Sequence, residues 1–425
     1  MLPFIGGIIM KVVKGNLVYS KSSKELVELE NGYIVINDEG LIEGVYQDLP
    51  NEYRDIELID YQDKLIIPAF SDLHVHAPQY PNRGIAMDKL LSDWLNQYTF
   101  PLESKYKDEQ FAKEVYTKFV DDLIKHGTLH VVAFGTIHNP ATDILINLLE
   151  EKSIQSYVGK VNMDKDSPDY LIEETEQSII DTEAFIKKHA DNKYAKPILT
   201  PRFAPTCSFE LIKKLGVLAN KYHIGTQTHV VESLWEANEA KNCFKGCRTD
   251  MQIYEEAGLL QNKPFIAAHY IFPSEEDLIL LKKCHGYAVQ CPDATTNVIA
   301  GIMRTGYLLD EGINLGLGSD ISAGSYLGIY RQVASSVRLS KIKNFYEPDN
   351  RDISFKEAFY MATKSGGALF DKVGTFEKGY YFDALIIDGL KDSFNKLSPS
   401  EMAERFCYTG DMNNIKERYL RGNKL

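Results

Sequence analysis

His74 and His76 close the stretch Lys64–His76, an apolar run interrupted at Pro68, and a single valine separates them. Side chains two apart in an extended strand point the same way. The two imidazoles therefore share one face, and Val75 takes the other. That spacing presents two nitrogen ligands to one metal ion. Further groups follow at or just past later predicted strand ends: His229 with Glu232, His269, and Asp320. Two imidazoles from one strand, a third from another and a late carboxylate form a nitrogen-and-oxygen set suited to zinc, iron or another first-row metal. Such an ion with an open position would hold a water and lower its pKa, giving hydroxide near neutrality. Asp320 would accept that water's proton and Glu232 would carry protons to the ring and leaving group. His269 would bond to the attacking water or to the developing alkoxide.

Each member has a plainer alternative. His229 could be a hydrogen-bonded core histidine, and His269, between Ala268 and Tyr270, a packed polar residue. Asp320 after Gly318-Ser319 could cap the next helix, and Glu232 could be an ordinary first-turn acid. Recurrence favours the common site, because burying several ionisable groups without a shared metal or substrate is expensive. Candidate substrate readers lie close by. Gln79, in the segment Ala77–Tyr80 that directly follows the histidine pair, can both donate and accept. Arg202 and Phe203 place a cationic donor beside an aromatic face, which suits a planar polar ring with a carbonyl. A surface arginine and a core phenylalanine remain the alternative there. Trp94, Tyr98 and Phe100 could line an apolar wall, although ordinary helix packing explains them equally well.

The elements that must position these groups read as follows. Residues 8–67 form short strands with turns, among them Val12–Tyr19, Tyr33–Ile36 and Leu41–Tyr46, with Asn31-Gly32 as a tight-turn pair. From Leu65 onward, apolar β-branched runs alternate with amphipathic stretches. Helices are predicted near 108–125, 140–151, 169–190, 208–221, 250–258, 274–283, 298–311, 325–341 and 354–370. Strands are predicted near 129–135, 154–162, 196–203, 223–229, 264–269, 287–290 and 314–320. With the strand that ends at His76, eight strands alternating with helices predict an α/β fold with a closed parallel (β/α)8 barrel, whose active site lies at the strand ends. The strand Ala384–Asp388 is expected to return to the N-terminal β-unit. Residues 1–67 and 375–425 would then form a composite β-sandwich beside a 68–374 barrel.

Composition narrows the function. The net charge of −13 over 425 residues leaves no basic surface for neutralising phosphates, which excludes a nucleic-acid backbone binder. The apolar stretch Met1–Met10 is too short to span a bilayer, so a cytoplasmic protein without membrane partners is expected. Of the six cysteines, Cys243 and Cys247 lie four apart, but no second close pair completes a sulfur site. Reduced, mostly buried thiols are expected.

The segments Pro68–Tyr80, Trp94–Glu103, Gly159–Asp164, Pro201–Phe203, Thr228–Glu232, Ala268-His269, Gly316–Asp320 and Gly374–Ala384 together resemble the guanine deaminases of the amidohydrolase superfamily. The resemblance covers nearly the whole chain. It implies a (β/α)8 barrel with a composite β-sandwich and, often, a homodimer. It also implies one zinc per subunit, with iron as the alternative, on His74, His76, His229 and Asp320. His269 would contact water or substrate, with Glu232 as proton shuttle. Gln79, Arg202 and Phe203 would bind guanine, with Trp94, His229 and Glu232 beside it and Arg202 on the six-position oxygen. Attack at the two-position carbon would then expel ammonia and leave xanthine. Cytidine-type deaminases use cysteine-bearing metal sites, and no such signature occurs. Gln290 stands where the family segment usually carries histidine, and Asp293 adds a carboxylate nearby, which bears on pocket shape. Lys160 corresponds to a position that some relatives carboxylate to bridge two metals; a structural role is expected here. The alternatives are a related hydrolase of another amino- or chloro-substituted purine, pyrimidine or triazine, and a non-catalytic barrel scaffold.

Overall fold

The computed structural model describes residues 4–5, 8–244, 246–348 and 350–425. Much of Met1–Met10 and the side chain of Cys243 lie outside the described residues. The chain is a mixed α/β fold. One sheet joins both chain ends: Ile8–Ser20, Leu26–Asn37, Ile42–Tyr46 and Glu57–Pro68 are extended by Ala384–Ile387, Ile415–Leu420 and Asn423–Lys424. Ala384–Ile387 runs antiparallel to Leu65–Pro68. Along Glu57–Asp63 Tyr61 alone is buried, and a fully buried run begins at Leu65. There the sheet turns inward, and Phe70–His76 follows after Ala69 with every residue buried.

Parallel strands then alternate with helices. Phe70–His76, Thr128–Phe134, Gln155–Gly159 and Ala195–Pro197 form one parallel set. Thr226–Val230, Phe265–His269, Tyr287–Gln290 and Asn314–Leu317 form another, and Val161-Asn162 pairs with Thr200-Pro201. Backbone bonds continue between the sets. Gln227 N–H donates to Leu199 C=O at 2.9 Å, and Asp320 N–H donates to His74 C=O at 2.8 Å. Runs buried on both faces and rich in Val, Ile, Leu and Ala are what parallel strands covered by helices require. The helix Glu109–Lys125 shows how the covering layer forms. Asp108 caps it by accepting from Gln110 and Phe111 N–H. Ala112, Tyr116, Phe119, Val120 and Leu123 then fall on its buried face at helical spacing.

Three expectations need correction, and one further helix was missed. The helix predicted over 298–311 shrinks to Thr305–Asp310, and a separate short helix, Pro292–Asn297, precedes that range. Ile299 (φ 55°) and Gly301 (φ 143°) leave the right-handed region between them, so no helix can pass through. The strand predicted over 196–203 is interrupted, because Ile198 and Leu199 bond sideways to Val158 and Gly225 carbonyls. The helix predicted over 354–370 is α-helical over Phe355–Tyr360, widens over Met361–Ser365 and resumes as a tight turn over Ala368–Phe370. The helix Pro399–Thr409 was not foreseen, although Ser398 and Glu401 form a capping box and Met402, Ala403, Phe406 and Cys407 form a buried stripe. Among the described residues, no helix is long and apolar enough to cross a membrane.

Candidate functional site

The strand Phe70–His76 ends with both imidazoles buried and their ring centroids 4.9 Å apart. Asp72 secures that end. Its Oδ1 accepts from His74 N–H at 3.1 Å and from Ser319 N–H at 3.0 Å, and the Ser319 hydroxyl donates to Oδ2. Burial pushes the Asp72 carboxyl up to about 7. Gly318 permits the close approach of the two segments: a Cβ there would lie 2.9 Å from His74 Cβ and 2.8 Å from Cys291 Sγ. Asp320, in the left-handed region at φ 45°, turns its carboxylate back over the histidines. Its Oδ1 lies 3.3 Å from His74 Nε2 and 3.5 Å from His76 Nε2.

His229 completes the cluster from the strand Thr226–Val230. Its Nδ1 donates to the Arg202 carbonyl at 2.6 Å. A carbonyl only accepts, so the proton sits on Nδ1 and the Nε2 lone pair faces inward, as a metal ligand requires. His229 Nε2 stands 3.1 Å from His76 Nε2. Burial, reinforced by neighbouring imidazoles, holds the His74, His76 and His229 pKa values well below the ordinary histidine range. The three rings are therefore neutral. His74 Nε2 is buried with no hydrogen-bond partner. Neutral imidazole nitrogens and a carboxylate converging with an orphaned lone pair fit a cation, and His74, His76 and His229, or His74, His269 and Asp320, are placed to hold one. Among the described residues, no cysteine sulfur belongs to these donor groups, and Cys207, Cys247, Cys284, Cys291 and Cys407 are free and buried.

His269 Nε2 lies 3.7 Å from both Glu232 Oε1 and Asp320 Oδ2, linking the two acids. Burial pushes both carboxyls up, Asp320 to about 6. Glu232 sits on a turn in which Val231 has φ 46°, an outlier for a β-branched residue. Two buried acids brace this turn: Asp250 Oδ2 accepts from Val231 N–H at 3.0 Å, and Glu236 Oε2 accepts from Glu232 N–H at 2.7 Å. Asp277 in turn accepts from Met251 N–H at 3.0 Å.

His76, Gln79, Trp94, Arg202, Phe203, His229, Glu232, His269 and Asp320 line one cavity, with His74 behind them. The structure thus brings together the candidate metal, proton-transfer and ring-reading residues. Tyr98 and Phe100 do not line it. Phe100 lies beneath the Arg202 guanidinium, 5.2 Å from ring centroid to Cζ. Lys160 is engaged elsewhere: its Nζ pairs with Glu173 and donates to the Val161 carbonyl at 2.9 Å. Gln290 accepts from the Ser336 hydroxyl, and Asp293 Oδ2 accepts from Ser325 N–H at 2.6 Å, bracing the loop that follows Asp320.

Glu103, Asp72, Glu236 and Asp250 were not assigned roles from the sequence. Glu103 carried a signal, as an acid closing the otherwise apolar turn Phe100–Leu102. The others carried none.

The family model for the amidohydrolase family matches residues 65–424. A guanine deaminase of Dictyostelium discoideum is 34% identical over 443 residues, covering 98% of each chain. One of Rattus norvegicus is 30% identical, covering 97% of this chain and 96% of its own. A crystal structure of guanine deaminase from C. acetobutylicum with guanine bound in its active site superposes with a TM-score of 0.94 at 43% identity, covering 98% of this chain and all of the other.

Proposed function

The chain belongs to the amidohydrolase family, and from that premise we propose that it hydrolyses guanine to xanthine and ammonia. One observation carries the reading: groups able to read a planar ring and groups able to activate water line the same cavity. It is supported by the likeness to a guanine deaminase solved with guanine bound.

A divalent cation, zinc or iron, held by His74, His76, His229 and Asp320 would supply activation of water near neutral pH. The chain's own groups do the rest. Arg202 donates to the six-position oxygen of guanine, Gln79 hydrogen-bonds the ring edge, and Phe203 and Trp94 bound its faces. Asp320 accepts the proton that the attacking water loses. Glu232, whose carboxyl burial pushes above its ordinary range, delivers a proton to the ring nitrogen next to the two-position carbon, making that carbon more electrophilic. Water's oxygen bonds to this carbon. The carbon–nitrogen bond breaks, and the amino group departs as ammonia with a proton relayed by the acids. His269, between Glu232 and Asp320, hydrogen-bonds the entering oxygen and stabilises charge as it develops.

The same reading takes the parallel strands as a closed (β/α)8 barrel over 68–374. Residues 1–67 and 375–425 would form a β-sandwich beside it, in a cytoplasmic homodimer. An ammonia-release assay on metal-reconstituted protein with guanine, adenine, cytosine and ammeline tests the activity. Ammonia from guanine is expected, and ammonia from another ring with none from guanine would overturn the assignment.

A further inference from the structure

Gln79 and Arg202, the two polar ring readers of the proposed function, share a partner that accounts for how they are aimed. Glu103 is buried at the end of the helical turn Phe100–Glu103. Its Oε2 accepts from Arg202 Nη1 at 2.6 Å, and its Oε1 accepts from Arg202 Nη2 at 3.2 Å and from Gln79 Nε2 at 2.9 Å. Gln79 Oε1 accepts from Ser322 N–H at 3.2 Å. A carboxylate takes only donors and a backbone N–H only an acceptor, so a single orientation of the Gln79 amide satisfies both neighbours.

We infer that Glu103 is a positioning residue for substrate choice: by clamping Gln79 and Arg202 together it fixes the donor–acceptor pattern offered to the ring and cancels the guanidinium charge. This rests on the deaminase reading above. With the clamp closed, Gln79 keeps one N–H and one lone pair for ligand, in fixed places. Arg202 keeps only N–H donors. A ring carbonyl there is matched, whereas an amino group would set donor against donor. Because the ion pair is neutral as a unit, the pocket favours an uncharged ring over its anion. The same segment links recognition to the metal-capable cluster, since the Arg202 carbonyl holds His229 in its tautomer.

Glu103→Gln tests the inference. The amide retains shape but loses the charge. Its Nε2 donors also face the donors of Arg202 and Gln79, so Gln79 is no longer held in one orientation. For guanine, KM should rise about 10- to 100-fold, the scale of hydrogen bonds to charged groups, while kcat stays within about threefold. A second readout separates the clamp from a merely structural role. Inhibition by xanthine should weaken in the wild type as pH rises past loss of a xanthine ring proton. In Glu103→Gln it should strengthen, because the unpaired Arg202 now attracts the anion. Unchanged KM, a kcat loss at constant KM, or wild-type pH behaviour of xanthine inhibition would each overturn the inference. If Glu103→Gln gives no folded protein, Glu103→Asp, which keeps the charge but not the reach, takes its place. Raised KM with kcat retained then supports the clamp, and wild-type KM overturns it. Absence of guanine turnover in the wild type refutes the deaminase reading itself. Wild-type turnover with an indistinguishable variant refutes only the clamp.

Discussion

Replacing Glu236 with glutamine should flatten the pH dependence of stability. Glu236 Oε2 and Asp250 Oδ2 are committed to the N–H groups of Glu232 and Val231. Their other oxygens, Oε1 and Oδ1, are buried without a donor, and the two side chains interact directly. A proton shared between them would supply the donor that each lacks, and burial pushes both carboxyls up. For a carboxyl whose folded pKa lies above its unfolded value, folding takes up a proton. Stability therefore falls as pH rises from the ordinary carboxylate range toward the raised value. One proton corresponds to about 1.4 kcal/mol per pH unit, hence up to about 3 kcal/mol between about pH 5 and pH 7. Glutamine reproduces the protonated acid at every pH: its oxygen accepts from Glu232 N–H and its amide donates to Asp250. Urea unfolding of metal-loaded wild type and variant, followed by circular dichroism, cancels every group that titrates in both. The stability difference should move in the variant's favour by about 2–3 kcal/mol over that interval. A difference constant to within about 0.5 kcal/mol, a small fraction of that effect, would refute the shared proton.

Glu232→Gln removes the proton carrier without removing a proposed ligand. It should keep its metal, measured by elemental analysis, and lose about 10²- to 10⁴-fold in kcat; wild-type turnover would sink the assignment. Stripping the cation with a chelator leaves buried nitrogens such as His74 Nε2 without a partner. The unfolding free energy should fall by at least about 2.7 kcal/mol relative to protein at a free ion concentration 100 times Kd, and an unchanged urea midpoint would argue against a resident metal. Lys160→Met strands the Glu173 carboxylate. It should destabilise the fold by about 3–5 kcal/mol with metal content intact, whereas metal loss at unchanged stability would assign Lys160 to the metal instead.

What the sequence by itself determined was the chemistry on offer and the strand ends that offer it. A period of two makes His74 and His76 neighbours on one face regardless of context. His229, Glu232, His269 and Asp320 were found at or just past the ends of predicted strands. These are local signals, carried by backbone geometry within a few residues. Only the tertiary structure decided which groups hold them in place. Glu103 meets Arg202 across 99 positions, and Asp72 meets Ser319 across 247. No periodicity encodes such partners, because desolvation and hydrogen-bond geometry arise only when distant segments close on one another. For the same reason nothing in the sequence singled out the buried acids Glu236 and Asp250, and the break at Ile299 could not be foreseen. Sequence spacing sets which way a side chain points along its own element; what it points at, and whether water is present there, depends on the rest of the chain.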